Sequence, residues 1–196
     1  MPRRAPPRSD PLLSVLLVTE GSHDRAVEDL VRRLVKFPLK IERDRVANPD
    51  LRAFHGKGQG FFKRAVRWTL AAEKRGFDAL IFIIDRDGEP ERVRQIDRAQ
   101  DLNDVELRRA LGVAIESFDA WMLADEKALT QVLGRSVDTQ RSPESIRRPK
   151  EVCDELGILR RDLYQEVCRI LDIELLIRRC PGGFATFAQR VRDLER

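Results

Sequence analysis

Residues 77–88 read Phe-Asp-Ala-Leu-Ile-Phe-Ile-Ile-Asp-Arg-Asp-Gly, and this stretch decides the fold class. Its six consecutive apolar residues, 79–84, are typical of a strand buried on both faces of a parallel sheet. A second, nearly continuous apolar run covers residues 12–19 and ends at Glu20-Gly21. Helical spacing of apolar side chains follows each run. The pattern predicts an α/β fold with a mostly parallel sheet flanked by helices.

The segments up to residue 125 continue this alternation. Apolar spacing predicts a helix beginning at residue 22, a weaker strand within 37–47, helices over 61–74 and 91–99, and a short strand at 113–115. Beyond residue 125 the pattern is helical throughout. We therefore expect a disordered basic lead-in at residues 1–10, an α/β domain over 11–125, and an all-helical C-terminal extension over 126–196 that packs on it.

Composition excludes several classes of protein. The chain has 196 residues, of which 42% are hydrophobic and 36% are charged, as in a heavily charged globular protein. Its apolar runs are far shorter than the roughly 18–20 residues that cross a bilayer, so we expect no membrane association. No secretory signal is evident, which predicts a cytoplasmic protein. Cys153, Cys168 and Cys180 form no Cys-x-x-Cys pair and are expected to be free and buried.

Charge is distributed unevenly along the chain, whose net charge is +4. Residues 51–75 carry seven basic side chains against one acidic side chain, and residues 78–106 carry nine acidic against four basic side chains. A basic block beside an acidic block is expected where phosphates meet a metal ion. Two solvated helix faces would give the same pattern, so the charge alone leaves both interpretations open.

Carboxylates follow both of the clearest predicted strands. Glu20 follows the first run, and Asp85 and Asp87 follow the second. Functional groups collect at the carboxyl ends of strands in open α/β sheets, so these side chains are expected to converge. An all-oxygen set of this kind suits Mg²⁺. Asp-x-Asp-Gly is also an ordinary turn sequence, and a purely structural role stays open.

A glycine-rich segment at residues 55–60 precedes the helix predicted at 61–74. Glycines and a helix start present backbone amides to an anion, which makes Lys57, Lys63 and Arg64 candidate phosphate-binding residues. Neither of the common nucleotide-binding glycine motifs is present, and a flexible loop before a capped helix is the alternative.

Taken together, Glu20-Gly21-x-x-Asp24 after the first strand and Asp85-x-Asp87 after the second resemble the Toprim domain, over residues 12–125. The resemblance implies that Glu20 is a general acid or base or a metal ligand. It also implies that Asp85 and Asp87 hold Mg²⁺ or Mn²⁺.

Three further segments resemble a narrower bacterial Toprim-like family, catalogued as domain of unknown function 4276. They are residues 114–125, Pro149-Lys150, and the Cys-Pro-Gly-Gly-Phe sequence at 180–184. This resemblance adds Glu116 as a further metal ligand and Asp119 as an auxiliary residue of the same cleft. Asp24 and His23, both within the first motif, are further auxiliary candidates.

The resemblance implies a Mg²⁺- or Mn²⁺-dependent enzyme that acts on phosphodiesters, in particular a nuclease on nucleic acid in a defence or repair system. A non-catalytic module that binds a metal or nucleotide and works with an ATPase partner protein is the alternative. A third possibility is an α/β protein whose acidic residues only cap turns. The substrate, the number of metals and the oligomeric state are left open.

Overall fold

Four parallel strands form the centre of the protein. The computed structural model describes residues 12–21, 24–46, 60–139 and 142–195, without the side chains of Asp24 and Arg161. The strands are β1 (Leu13–Thr19), β2 (Leu39–Arg45), β3 (Ala79–Asp85) and β4 (Arg108–Ala114), in the order β2-β1-β3-β4. The predicted α/β fold with a parallel sheet is confirmed, whereas the predicted lead-in at 1–10 lies outside the described residues.

Nine α-helices lie in the described part of the chain. Those that alternate with the strands are α1 (Asp24–Leu34), α2 (Gly60–Lys74) and α3 (Glu91–Gln100). The remaining six form the helical region after β4: α4 (Asp119–Met122), α5 (Glu126–Leu133), α6 (Pro149–Leu156), α7 (Arg161–Ile170), α8 (Ile173–Arg179) and α9 (Phe184–Arg192). Short 3-10 turns at Pro143–Ser145 and Asp193–Glu195 complete this region. None of the described helices has the length and apolarity needed to cross a bilayer.

Side chains alternate between the two faces of the sheet, and both faces are covered. Val15 and Leu17 of β1 pack against α1 and the C-terminal helices. Leu16 and Val18 pack on the other face, with α2 and α3. This arrangement explains why β1 and β3 are continuous apolar runs: a strand between two helical layers has no face that water reaches.

Strand β4 begins five residues before the predicted strand at 113–115, because its first two residues are arginines and Gly112 interrupts the apolar run. The guanidinium of Arg109 donates to the carbonyl oxygens of Gln100 and Leu102, and the Gln100 side chain accepts from the amide of Leu111. Local hydrogen bonds thus satisfy this end of the strand, and no apolar pattern marks it.

The C-terminal helices close tightly over β4. A Cβ atom at Gly112 would lie 2.6 Å from a ring carbon of Phe187 in α9, so the close approach requires glycine. Trp121 is fully buried nearby, with its ring centroid 4.9 Å from that of Phe184. The three cysteines are free and buried, as predicted.

The chain leaves β1 and β3 in opposite directions. β1 is followed by α1 on one face of the sheet, and β3 is followed by α3 on the other. This divergence between adjacent parallel strands opens a crevice at their carboxyl ends, the usual place for a ligand in this class of fold. Glu20 and Asp85 lie at this point.

Candidate functional site

Glu20 and Asp85 are joined by a hydrogen bond at the crevice. The amide of Asp85, the last residue of β3, donates to Oε2 of Glu20 at 3.0 Å. Oδ1 of Asp85 in turn accepts from the amide of Phe118, beyond β4, at 2.8 Å. Two of the predicted site residues therefore connect the ends of three neighbouring strands, as the parallel topology requires.

The environment of these two carboxylates disfavours their negative charge. Burial, with smaller contributions from the negative charges of Glu20, Asp87 and Asp119, raises the pKa of Asp85 to about 7, against the Phe118 hydrogen bond. Burial also raises the pKa of Glu20, although the Asp85 amide and Arg92 oppose it. A cation at this edge would stabilise both ionised groups.

Asp87 lies in the turn after β3 and contacts Arg92 of α3. Nη1 of Arg92 is 2.7 Å from Oδ2 of Asp87, 2.7 Å from the carbonyl oxygen of Asp85, and 3.9 Å from Oε2 of Glu20. The Arg92 side chain is only 11% exposed, and its guanidinium lies 4.4 Å from the centroid of the Phe61 ring. In the sequence Arg92 is one of four basic residues within the acidic block 78–106, and no motif there predicts its central position.

Glu116, the further predicted ligand, forms an ion pair with Arg86. Its backbone φ is 60° and that of Asp87 is 49°, so two non-glycine residues of neighbouring turns adopt the left-handed conformation. The amide of Asp87 donates to the carbonyl of Glu116 at 3.0 Å, which holds the turns together. Left-handed non-glycine residues that tertiary contacts hold in place occur often at functional sites.

Asp119, the predicted auxiliary residue, is buried, and both of its carboxylate oxygens accept hydrogen bonds. The hydroxyl of Tyr164 donates to Oδ1 at 2.9 Å, and the hydroxyl of Ser117 donates to Oδ2 at 3.0 Å. Asp119 thereby connects α4 to α7 and still lines the cleft described below. Its position supports a structural role and places a further negative charge near Asp85.

An open cleft of about 740 Å³ lies over the carboxylates. Asp85, Asp87 and Glu116 line one part of it. The segment that leads into α6 contributes basic side chains to the same cleft: Arg147, Arg148 and Lys150. Only Pro149-Lys150 was singled out in the sequence, as part of a family resemblance, and the basic group was not predicted. Three basic residues around a proline at a helix start were the available signal.

Of the predicted phosphate-binding residues, Lys63 and Arg64 do not line this cleft. Lys57 lies outside the described residues. Lys63 is exposed on α2, and Arg64 is half-buried over the ring of Phe61, 4.8 Å from its centroid. Arg64 is near enough to lower the pKa of Glu20, so it belongs to the surroundings of the site.

The start of α2 is partly capped by a side chain. Oε1 of Gln95 accepts from the amides of Phe61 at 3.0 Å and Phe62 at 3.2 Å. Those two amides are thus engaged, contrary to the expectation that this helix start offers free donors to an anion. His23 lies outside the described residues, and Asp24 is the first residue of α1.

The three predicted metal ligands offer the type of donor atom that a hard divalent ion prefers. Glu20, Asp85 and Asp87 offer only oxygen, and a small cavity of about 30 Å³ lies beside Glu20, Asp85 and Phe118, enough for a water-sized occupant. In the described ranges, however, no three acidic, histidine or cysteine side chains are gathered as a metal site. The metal ligands stay a prediction.

Comparison of the chain with protein-family models, curated protein sequences and solved structures found no match in any of the three. The resemblance to the Toprim domain therefore rests on its short motifs and stays a prediction.

Proposed function

We propose that the protein is a Mg²⁺- or Mn²⁺-dependent enzyme that acts on phosphodiesters, in particular a nuclease on nucleic acid. One observation carries the proposal. At the crevice of a parallel sheet, the Glu20 carboxylate accepts the backbone amide of Asp85, and the Asp85 side chain lines an open cleft that also presents basic side chains. Acidic groups for an ion and basic groups for phosphate, in one cleft, are the requirements of metal-assisted phosphoryl transfer.

Glu20, Asp85 and Asp87 would hold the ion. When bound, the ion would supply Lewis-acid stabilisation of charge on a phosphoryl oxygen. The oxygen Oε2 of Glu20 accepts the Asp85 amide, so Oε1 is the atom from which this residue would accept or release a proton. Burial raises the pKa of Glu20 in the metal-free protein, and a bound cation would lower it.

Arg92 forms an ion pair with Asp87, the third of these carboxylates. Its guanidinium holds Asp87 and also donates to the Asp85 carbonyl, so it fixes the turn after β3. Asp87 is about half exposed and can turn toward an ion, whereas Arg92, at 11% exposed, keeps its hydrogen bond to the Asp85 carbonyl. Arg92 would then remain as a positive charge beside the reacting phosphate.

A second candidate function is a metal- or nucleotide-binding accessory module that works with an ATPase partner. The observation that favours it is that Arg92 holds Asp87 and Arg86 holds Glu116. Two of the four predicted ligands are thus already neutralised within the chain. A site arranged in this way can bind a ligand without turnover.

The test is calorimetric titration of Mg²⁺ and Mn²⁺ into the unaltered protein and the Asp85→Asn, Asp87→Asn variant. The matched control is Asp104→Asn, Glu106→Gln, which removes the same charge from exposed positions before β4. We expect binding to be lost only in the first variant. Equal binding in all three proteins would refute a metal site at the strand ends. Where the ion binds specifically, cleavage of DNA or RNA supports the enzyme, and its absence favours the accessory module.

A further inference from the structure

The basic side chains of the cleft come from a segment that is far from the carboxylates in sequence. Arg147 and Lys150 are exposed at the start of α6, and within the described chain neither forms an ion pair. Arg148, between them, pairs with Glu151 at 3.0 Å. Two cations without an ion pair therefore line a cleft that also holds Arg148 and six acidic side chains: Asp85, Asp87, Glu116, Asp119, Glu151 and Asp154.

Glu144 holds the segment before α6 in place by accepting hydrogen bonds from the loop before α9. The 3-10 turn Pro143–Ser145 precedes Arg147, and the carboxylate of Glu144 accepts the amides of Gly182 at 2.8 Å and Gly183 at 2.7 Å. We call these contacts the Glu144 clasp. It joins the segment before α6 to the start of α9, which packs on β4.

The clasp depends on glycine. A Cβ atom at Gly183 would lie 2.8 Å from Oε1 of Glu144 and 2.8 Å from the carbonyl oxygen of Val113 in β4. The Glu144 carboxylate thus lies directly against the backbone of Gly183, next to β4. The turn that contains Glu116 follows β4. Buried Pro143 and Pro149 on either side further limit the freedom of the segment.

We infer that Arg147 and Lys150 form the phosphate-binding wall of the cleft and that Glu144 is the residue that positions this wall. The ligand class is a phosphodiester chain, whose backbone would lie against the basic wall while one phosphate faces the carboxylates. The contact between one phosphate and the carboxylates rests on the proposed function. Binding of the chain to the basic wall needs no metal. Its binding is electrostatic and therefore depends on salt.

The experiment measures binding of a short fluorescein-labelled single-stranded oligonucleotide by anisotropy, in a metal chelator, over a series of salt concentrations. Arg147→Ala, Lys150→Ala should weaken binding and reduce the slope of log affinity against log salt by about 1.4, since each phosphate contact on a single strand contributes about 0.7. The control Lys40→Ala, Arg178→Ala removes the same charge from exposed positions that do not line the cleft. It should leave the slope unchanged.

Glu144→Gln tests the positioning role. We expect it to lower the slope as the wall variant does, at a temperature where circular dichroism shows the protein to be folded. A loss of stability with an unchanged slope would show that Glu144 is merely structural and would overturn its positioning role.

Two outcomes would overturn the wall itself: equal weakening by the control variant, or no oligonucleotide binding by the unaltered protein at low salt. Failure of the proposed function is a separate result. The variant Asp85→Asn, Asp87→Asn loses two ionisable carboxyl groups from the cleft and should bind the oligonucleotide at least as tightly as the unaltered protein without metal. Intact oligonucleotide binding with no specific metal binding would keep the wall and reject the metal-dependent enzyme.

Discussion

Asp85→Asn should stabilise the metal-free protein, and the gain should grow with pH. Burial and neighbouring negative charges raise the pKa of Asp85 from 3.8 to about 7. Between these values the folded protein binds more protons than the unfolded chain, so its free energy of unfolding falls as pH rises. Asparagine carries no charge, and its side-chain oxygen can still accept the Phe118 amide.

The magnitude follows from the difference between the two pKa values. Each tenfold change in proton affinity corresponds to about 1.4 kcal/mol, which gives about 4 kcal/mol for the fully ionised, fully buried group. Because Asp85 is only partly buried, we expect a gain of about 2 to 4 kcal/mol at pH 8. Near pH 4, where the folded carboxyl is already neutral, the gain should fall below about 1 kcal/mol.

Urea unfolding with a metal chelator at pH 4 and pH 8 measures this difference. Asp78→Asn is a control of opposite sign, because the Ser14 amide lowers the pKa of exposed Asp78. That variant should be less stable than the unaltered protein at neutral pH, and the deficit should shrink as pH falls. A gain for Asp85→Asn that is the same at both pH values would refute the assignment of a raised pKa to this site.

Three further substitutions test the packing around the cleft. Tyr164→Phe removes the hydrogen bond to buried Asp119 and should cost about 1 to 3 kcal/mol in urea unfolding, and an unchanged midpoint would show that this bond does not hold α4 to α7. Gly112→Ala places a methyl group against Phe187 and should cost about 1 to 3 kcal/mol by the same measurement, unless the ring moves aside without loss. Arg92→Met removes the cation that lowers the pKa of Glu20, so it should destabilise the protein at pH 8 more than at pH 4, and an equal loss at both pH values would count against a charge effect.

The sheet could be predicted because strands that are buried on both faces consist of continuous apolar residues. β1 and β3 are continuous apolar runs, whereas β4 begins with two arginines, and its first five residues were missed. Arg109 hydrogen-bonds locally, and Arg108 donates to the distant carbonyl of Leu194. The approach of Glu20 to Asp85 followed from one rule, that parallel strands end at the same edge of a sheet.

The partners of the carboxylates could not be predicted in the same way. Arg92 reaches Asp87 because the turn after β3 adopts a left-handed conformation at a non-glycine residue, which no pattern of apolar spacing reveals. Arg147 and Lys150 reach the cleft through packing of the C-terminal helices, about sixty residues after Asp85. Interactions over such separations arise from tertiary structure.

The pairing of the two left-handed turns has a mechanical consequence. The Arg86 amide donates to the Ala114 carbonyl at 2.9 Å, and the Asp87 amide donates to the Glu116 carbonyl, so the β3–β4 ladder continues past the ends of both strands. Because this hydrogen bond joins the two turns, a displacement of one turn also displaces the other. A ligand that binds Asp87 and shifts its turn therefore also moves Glu116. The amide hydrogens of Arg86 and Asp87 should exchange with solvent in a single cooperative opening.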